Sequence, residues 1–255
     1  MVIVENLKID GIPLLHIVRE KEKNDALPFV LFVHGFTSAK ENNLHYAYLL
    51  AEKGIRVVLP EALYHGERSE NLSQNALNAQ FWVIVLNEIS ELETIKNAFS
   101  QKGLIDETRI GAAGTSMGGV VTLGALTQYS WIKAGVSLMG SPYYADFLKM
   151  QIEYLRNEGQ VIPISDKELD DQLNRLEPYD LSIHREKLAN RPLLFWHGEK
   201  DNVVPFEPTY RFYEEIKRDY DSNPEDLAFI RDPGADHKVS REGLLSLVAW
   251  FEKHL

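Results

Sequence analysis

From residue 110 to residue 119 the chain reads Ile110-Gly111-Ala112-Ala113-Gly114-Thr115-Ser116-Met117-Gly118-Gly119, a G-x-S-x-G pattern set where an apolar run gives way to the helix-forming stretch Val120 to Leu126. This spacing suits a serine lifted out of a sharp strand-to-helix turn, with small residues two places away so that strand and helix can pass. The chemistry would be nucleophilic attack on an acyl carbon. With each residue type at about 7% abundance, the bare pattern arises by accident in about one chain in ten of this size. Its partners must therefore carry the weight. Asp201 lies in His197-Gly198-Glu199-Lys200-Asp201-Asn202-Val203-Val204-Pro205, after a late apolar run, and His237 lies in Gly234-Ala235-Asp236-His237, after the last one. Glu199, Asp232 and Asp236 compete for the role of the acid. Asp236 is the poorest of them, because the side chains of loop neighbours diverge.

Positioning these groups requires strands that end at one edge. The apolar runs Phe29 to Val33, Ile55 to Leu59, Ile110 to Ala113, Ala134 to Leu138, Leu193 to Trp196 and Leu227 to Ile230 are of the kind buried on both faces of a parallel sheet. Helical spacing separates several of them, as at Val85, Leu86, Ile89 and Leu92, and it closes the chain at Leu244, Leu247, Val248, Phe251 and Leu255, with Ser240 placed to cap that last helix. Two further runs, Val2 to Ile9 and Ile12 to Val18, meet at Asp10-Gly11, which predicts an antiparallel hairpin at the sheet edge. The expectation is an α/β chain with a mostly parallel eight-stranded sheet and helices on both faces. Ser116, Asp201 and His237 would all stand at its carboxyl edge, in the chain order found in α/β-hydrolases. His34-Gly35-Phe36-Thr37 leaves the strand Phe29 to Val33 at the same edge, so the backbone N–H groups of Phe36 and Met117 are the expected oxyanion donors.

The stretches His34-Gly35-Phe36-Thr37-Ser38, His65-Gly66-Glu67-Arg68, Phe81-Trp82, Ser116-Met117-Gly118-Gly119, Met139-Gly140-Ser141 and Trp196-His197-Gly198 through Val204-Pro205 resemble α/β-hydrolase superfamily serine hydrolases. Within that superfamily the chain is similar, end to end, to bacterial carboxylesterases of the YitV/YjfP type, in the prolyl oligopeptidase-like and dienelactone hydrolase-like branch. The resemblance implies hydrolysis of simple carboxylic esters, with Ser116, Asp201 and His237 as nucleophile, acid and base and with no cofactor. Relatives usually carry aspartate where this chain has Glu61, after Pro60, a position the triad does not use. The absence of cysteine separates the chain from dienelactone hydrolases proper, and its length leaves no room for the propeller of true prolyl oligopeptidases.

Residues 143 to 190 interrupt the rhythm with helix-like segments, Ala145 to Arg156 and Lys167 to Leu176, and read as a cap inserted into a single domain spanning 1–255. Within it Tyr143, Tyr144, Phe147 and Tyr154 are candidates to line an acyl pocket. His65-Gly66-Glu67-Arg68 reads first as a polar network beside the site, with His65 a lesser candidate for touching substrate. His34 and His197 read as structural, and Phe81 and Trp82 as core. The spacing of His34, His65 and His197 fits no zinc pattern, so no metal is expected.

Composition narrows the partners. With 27 Lys and Arg against 38 Asp and Glu the net charge is −11, which disfavours nucleic acid. The longest solid apolar run, Phe81 to Leu86, is too short to span a bilayer. Without cysteine or a leader-like N-terminus, the expected setting is cytoplasmic, and the expected partner is a small-molecule ester. The same triad would equally serve a peptidase, a thioesterase or a sugar-ester deacetylase, and a non-catalytic ligand-binding hydrolase fold is a further alternative.

Overall fold

In the computed structural model, which describes residues 1–157 and 165–255, Asp10 and Gly11 take φ values of 48° and 88°. That pair of positive angles is what a tight two-residue hairpin requires. It folds β1 (Val2–Ile9) onto β2 (Ile12–Arg19) in antiparallel register, Ile9 opposite Ile12. Six further strands complete one sheet: β3 (Leu27–Val33), β4 (Arg56–Pro60), β5 (Ile105–Thr115), β6 (Ala134–Leu138), β7 (Leu193–Gly198) and β8 (Leu227–Asp232). Their order is β1-β2-β4-β3-β5-β6-β7-β8. From β4 to β8 every pairing is parallel, while β2 meets β4 antiparallel.

The helices are α1 (Leu44–Ala51), α2 (Gln74–Ala79), α3 (Phe81–Gln101), α4 (Met117–Gln128), α5 (Tyr144–Asn157), α6 (Asp166–Leu176), α7 (Phe206–Ile216) and α8 (Arg241–His254). They cover both faces, giving two cores. On one side α3, α4 and α5 bury Ile89, Val120 and Phe147 against Leu31 and Ile110; on the other α1 and α8 bury Leu50 and Phe251 against Val57 and Val136. Among the described residues no helix is long and apolar enough to cross a membrane.

One departure from the sequence expectation has a clear cause. β5 begins five residues early, at Ile105, because Asp106-Glu107-Thr108-Arg109 is a polar and largely exposed lead-in that no apolar run reveals. In the stretch joining β6 to β7, α5 packs onto the helical layer. Tyr144 of α5 is fully buried, its ring 4.9 Å from Trp82 and its hydroxyl donating to Val120 O at 2.6 Å. The start of α5 is held by Asp180, which accepts from Ala145 N at 3.0 Å, and α6 opens with a reciprocal capping box between Ser165 and Glu168. Part of the expected 143–190 insertion, residues 158–164, lies outside the described residues.

β3 has β4 on one side and β5 on the other, so the connections leaving β3 and β5 part in opposite directions at the carboxyl edge. Open α/β sheets form their ligand crevice at such a point. Here it lies between the 34–40 loop and Ser116: a side chain on Gly35 would stand 3.6 Å from the Cβ of Ser116.

Candidate active site

Ser116 closes β5 and opens α4 with φ 53° and ψ −113°, a left-handed backbone that costs about 1–3 kcal/mol for a residue with a side chain. Its neighbours hold it there: its N–H donates to Leu138 O at 2.8 Å, and Val120 N–H donates to its carbonyl at 3.0 Å. The glycines of the pattern are needed for close approach. A Cβ on Gly118 would stand 2.0 Å from Val33 O, and one on Gly114 would stand 2.4 Å from the backbone of Gly118. Gly118→Ala is therefore expected to overpack the elbow by about 1–3 kcal/mol and to lower Tm by about 2–12 °C. A melting curve that superimposes on that of the wild type would refute the packing account.

The acid loop begins as β7 ends. Asp201 Oδ1 accepts from the N–H groups of Val203 and Val204, both at 2.9 Å, which turns the loop and aims Oδ2 at the base. Oδ2 then meets His237 Nδ1 at 2.7 Å and His197 Nε2 at 3.3 Å. Burial pushes this carboxyl up, but the hydrogen bonds from His197, His237 and the Val204 amide outweigh burial and hold it well below the usual carboxylate range. His197 is fully buried, and its Nε2 also reaches Val204 O at 2.8 Å. The base loop leaves β8 through Asp232, whose Oδ1 accepts from Gly234 and Ala235 N–H, both at 3.1 Å. His237 Nε2 lies 2.8 Å from Ser116 Oγ.

Ser116, His237 and Asp201 thus form a continuous hydrogen-bonded line drawn from the ends of β5, β8 and β7. Glu199 and Asp232, the rival acids, are engaged elsewhere: Glu199 pairs with Arg231, and Asp232 caps its own turn. With Nδ1 donating to Asp201, the imidazole Nε2 is the acceptor that faces the serine hydroxyl.

On the opposite side stands the 34–40 loop. Thr37 N–H is taken by His65 Nε2 at 2.9 Å and Ser38 N–H by Gly35 O at 3.1 Å. Among the described residues, by contrast, the N–H groups of Phe36 and Met117 have no protein acceptor. Met117 opens α4, whose first-turn donors have no intrahelical partner and carry the positive end of the helix dipole.

The five residues offered as substrate contacts, His65, Tyr143, Tyr144, Phe147 and Tyr154, separate. Tyr144 and His65 are corrections: Tyr144 is sealed in the core, and His65 is 4% exposed with both ring nitrogens occupied, Nδ1 by Leu63 O at 2.8 Å and Nε2 by Thr37. An aromatic row instead runs from Phe36 to Phe81 and on to Phe147, with ring centres 5.4 and 5.9 Å apart. Tyr143 is half-buried, with Arg211 over its ring at 4.9 Å and its hydroxyl 3.2 Å from Glu215; Tyr154 is 63% exposed. Sequence reasoning missed Lys40, Glu61 and Glu88. All three are buried around the 61–68 loop, where Arg68 forks onto Glu91 at 2.7 and 2.8 Å, and Glu88 Oε1 accepts from Leu63 N–H at 3.1 Å. No periodicity marks such residues. The one signal was the acid that directly follows Pro60.

Known proteins resemble the chain in sequence and in fold. The sequence profile of the prolyl oligopeptidase family matches residues 42–255. The chain is 56% identical to "Putative esterase YitV" of Bacillus subtilis (strain 168) and 31% identical to "Esterase YjfP" of Escherichia coli (strain K12), in both cases over 100% of each chain. Among solved structures, TT1662 from Thermus thermophilus superposes with a TM-score of 0.77 at 20% identity, covering 99% of this chain and 98% of that one.

Proposed function

The chain belongs to the prolyl oligopeptidase family and is a serine hydrolase of the α/β-hydrolase fold, and from that premise we propose that it is a carboxylesterase for small-molecule esters working through Ser116, His237 and Asp201. The observation that carries this reading is the line Ser116 Oγ, His237, Asp201, at 2.8 and 2.7 Å, beside two uncommitted amides.

As Ser116 Oγ bonds to the ester carbonyl carbon, its proton passes to His237 Nε2 and the carbonyl oxygen takes the negative charge. The Phe36 and Met117 amides receive that charge, while Asp201 faces the imidazolium. Collapse of the tetrahedral intermediate breaks the carbon–oxygen bond to the alcohol, which leaves with the proton from His237. Water then attacks the acyl-enzyme and gives a proton to His237, and the second collapse frees the acid as that proton returns to Ser116. Every step runs on these side chains and amides, without a cofactor. Phe36, Phe81 and Phe147 would form the apolar wall, with the segment after β6 as the cap and Tyr143 at its rim. A chain with no cysteine suits the reducing cytoplasm.

The test is a panel at equal concentration: a short-chain aryl ester, an alkyl thioester, an acetylated xylose and a blocked dipeptide amide. The short ester should give the highest kcat/KM. Equal or faster cleavage of the dipeptide would replace this reading with a peptidase. A protein that turns over none of the four and takes no fluorophosphonate label would be a binding fold.

A further inference from the structure

At the end of β4 the carboxylate of Glu61 is fully buried, and no proton transfer of the proposed reaction uses it. Its partners come from the two loops beside Ser116. From the 34–40 loop, Lys40 donates to it twice, from its backbone N–H to Oε1 at 3.1 Å and from its ammonium to Oε2 at 2.9 Å, and His34 Nε2 stands 3.4 Å from Oε1. From the 61–68 loop, Glu67 N–H approaches Oε2 at 3.3 Å. The Lys40 ammonium, 1% exposed, also touches Glu67 at 2.6 Å and Glu41 at 2.8 Å. Three carboxylates close enough to share a cation are thus served by one lysine of the chain itself.

Stability alone is a poor reason for such a pair. Both charges have left water, and a volume-matched apolar pair would be at least as stable. What the pair holds supplies the reason. The 34–40 loop carries the Phe36 amide, and its Thr37 sits at φ 61°, a conformation that persists only where the surroundings impose it. Four ties fasten the loop to residues 61–68: Ala62 N–H to His34 Nε2 at 3.0 Å, Thr37 N–H to His65 Nε2 at 2.9 Å, Lys40 to Glu67 at 2.6 Å, and Lys40 to Glu61 at 2.9 Å. The last two are ionic, and of these only the Lys40–Glu61 pair is buried at both ends. Without Glu61 the ammonium keeps Glu41 and Glu67, whose side chains are 52% and 59% exposed, so the ionic tie between the loops would move out to the surface, where such a pair holds little.

We propose that Lys40 and Glu61 are positioning residues whose buried ion pair clamps the 34–40 loop onto the 61–68 loop and so keeps the Phe36 N–H aimed at the carbonyl oxygen of an ester on Ser116. This rests on the ester-hydrolysis reading above. The oxyanion gains its charge only on the way to the tetrahedral intermediate, so the clamp acts on kcat and leaves substrate binding largely alone.

The test uses Glu61→Gln, Lys40→Met and the double variant Lys40→Met/Glu61→Leu. Active sites are counted by fluorophosphonate labelling taken to completion, and each protein is assayed with a short-chain ester and titrated with a trifluoromethyl ketone, which forms a tetrahedral adduct on the serine. The expected result is a loss in kcat per labelled site of about 10- to 100-fold, less than removal of a whole oxyanion donor, with KM moving less than about threefold. Ketone affinity should fall by about the same factor as kcat/KM. The double variant leaves no lone buried charge and is the one to read where a single variant does not fold. If its kcat per labelled site and its ketone affinity equal those of the wild type, the clamp is overturned, whatever happens to Tm. A wild-type protein that hydrolyses no ester and takes no label sinks the ester-hydrolysis reading instead, so that arm is measured first.

Discussion

Ser116→Ala is expected to lower kcat for a short-chain ester by about 10⁴-fold or more while leaving the protein folded. The loss is large because the variant keeps everything except the atom that forms the bond. His237 still faces Asp201, and the amides of Phe36 and Met117 still await a carbonyl oxygen, so a small residual rate above water should survive. Folding should survive for a local reason. Position 116 is held at positive φ by its backbone, through Leu138 O and Val120 N–H, and not by its hydroxyl. Alanine meets the same strain as serine there. The measurement pairs a single-turnover assay with a thermal melt, so that a dead but folded enzyme is told apart from an unfolded one. Activity within tenfold of the wild type would place the nucleophile elsewhere.

The strands were legible because a strand buried on both faces must be written in apolar residues, as Phe29 to Val33 and Leu193 to Trp196 are. The first half of β5 was not, since exposed strand residues such as Glu107 and Arg109 obey no such constraint. Ser116, Asp201 and His237 could be placed because each follows a legible strand by a few residues, and strand ends in a parallel sheet share an edge. Two kinds of information were missing. The sequence holds no record of which way a buried aromatic faces, so Tyr144 read as pocket wall when its hydroxyl reaches into the core toward Val120 O. Nor does it record pairing between loops far apart in the chain. Lys40 and Glu61 meet only because β3 and β4 lie side by side in register, Phe29 beside Arg56. Seen alone, a lysine in Ala39-Lys40-Glu41 is an ordinary surface residue, and Glu61 is only a departure from an expected aspartate.

Asp201→Asn should be almost as damaging as loss of the serine, with kcat down by about 10⁴-fold as for the same change in other triads. Oδ1 accepts from the Val203 and Val204 amides, so the asparagine oxygen is committed to that side. Its NH2 group must then replace Oδ2 and face both His237 Nδ1 and His197 Nε2. Facing a donor, His237 adopts the tautomer with its hydrogen on Nε2, and it can no longer accept the serine proton. His197 Nε2, which donates to Val204 O, meets a donor where it had an acceptor. Stability should change with a definite sign. A carboxyl held below its ordinary pKa contributes stability at pH values above the unfolded pKa, and that contribution drains away as pH falls toward the folded one. The gap in Tm between wild type and variant should therefore be widest near neutral pH and narrow progressively below about pH 3.9. A gap that stays constant from neutral pH to pH 3 would mean that the carboxylate's charge contributes nothing to the fold, and a kcat within tenfold of the wild type would mean that Asp201 does not set the tautomer.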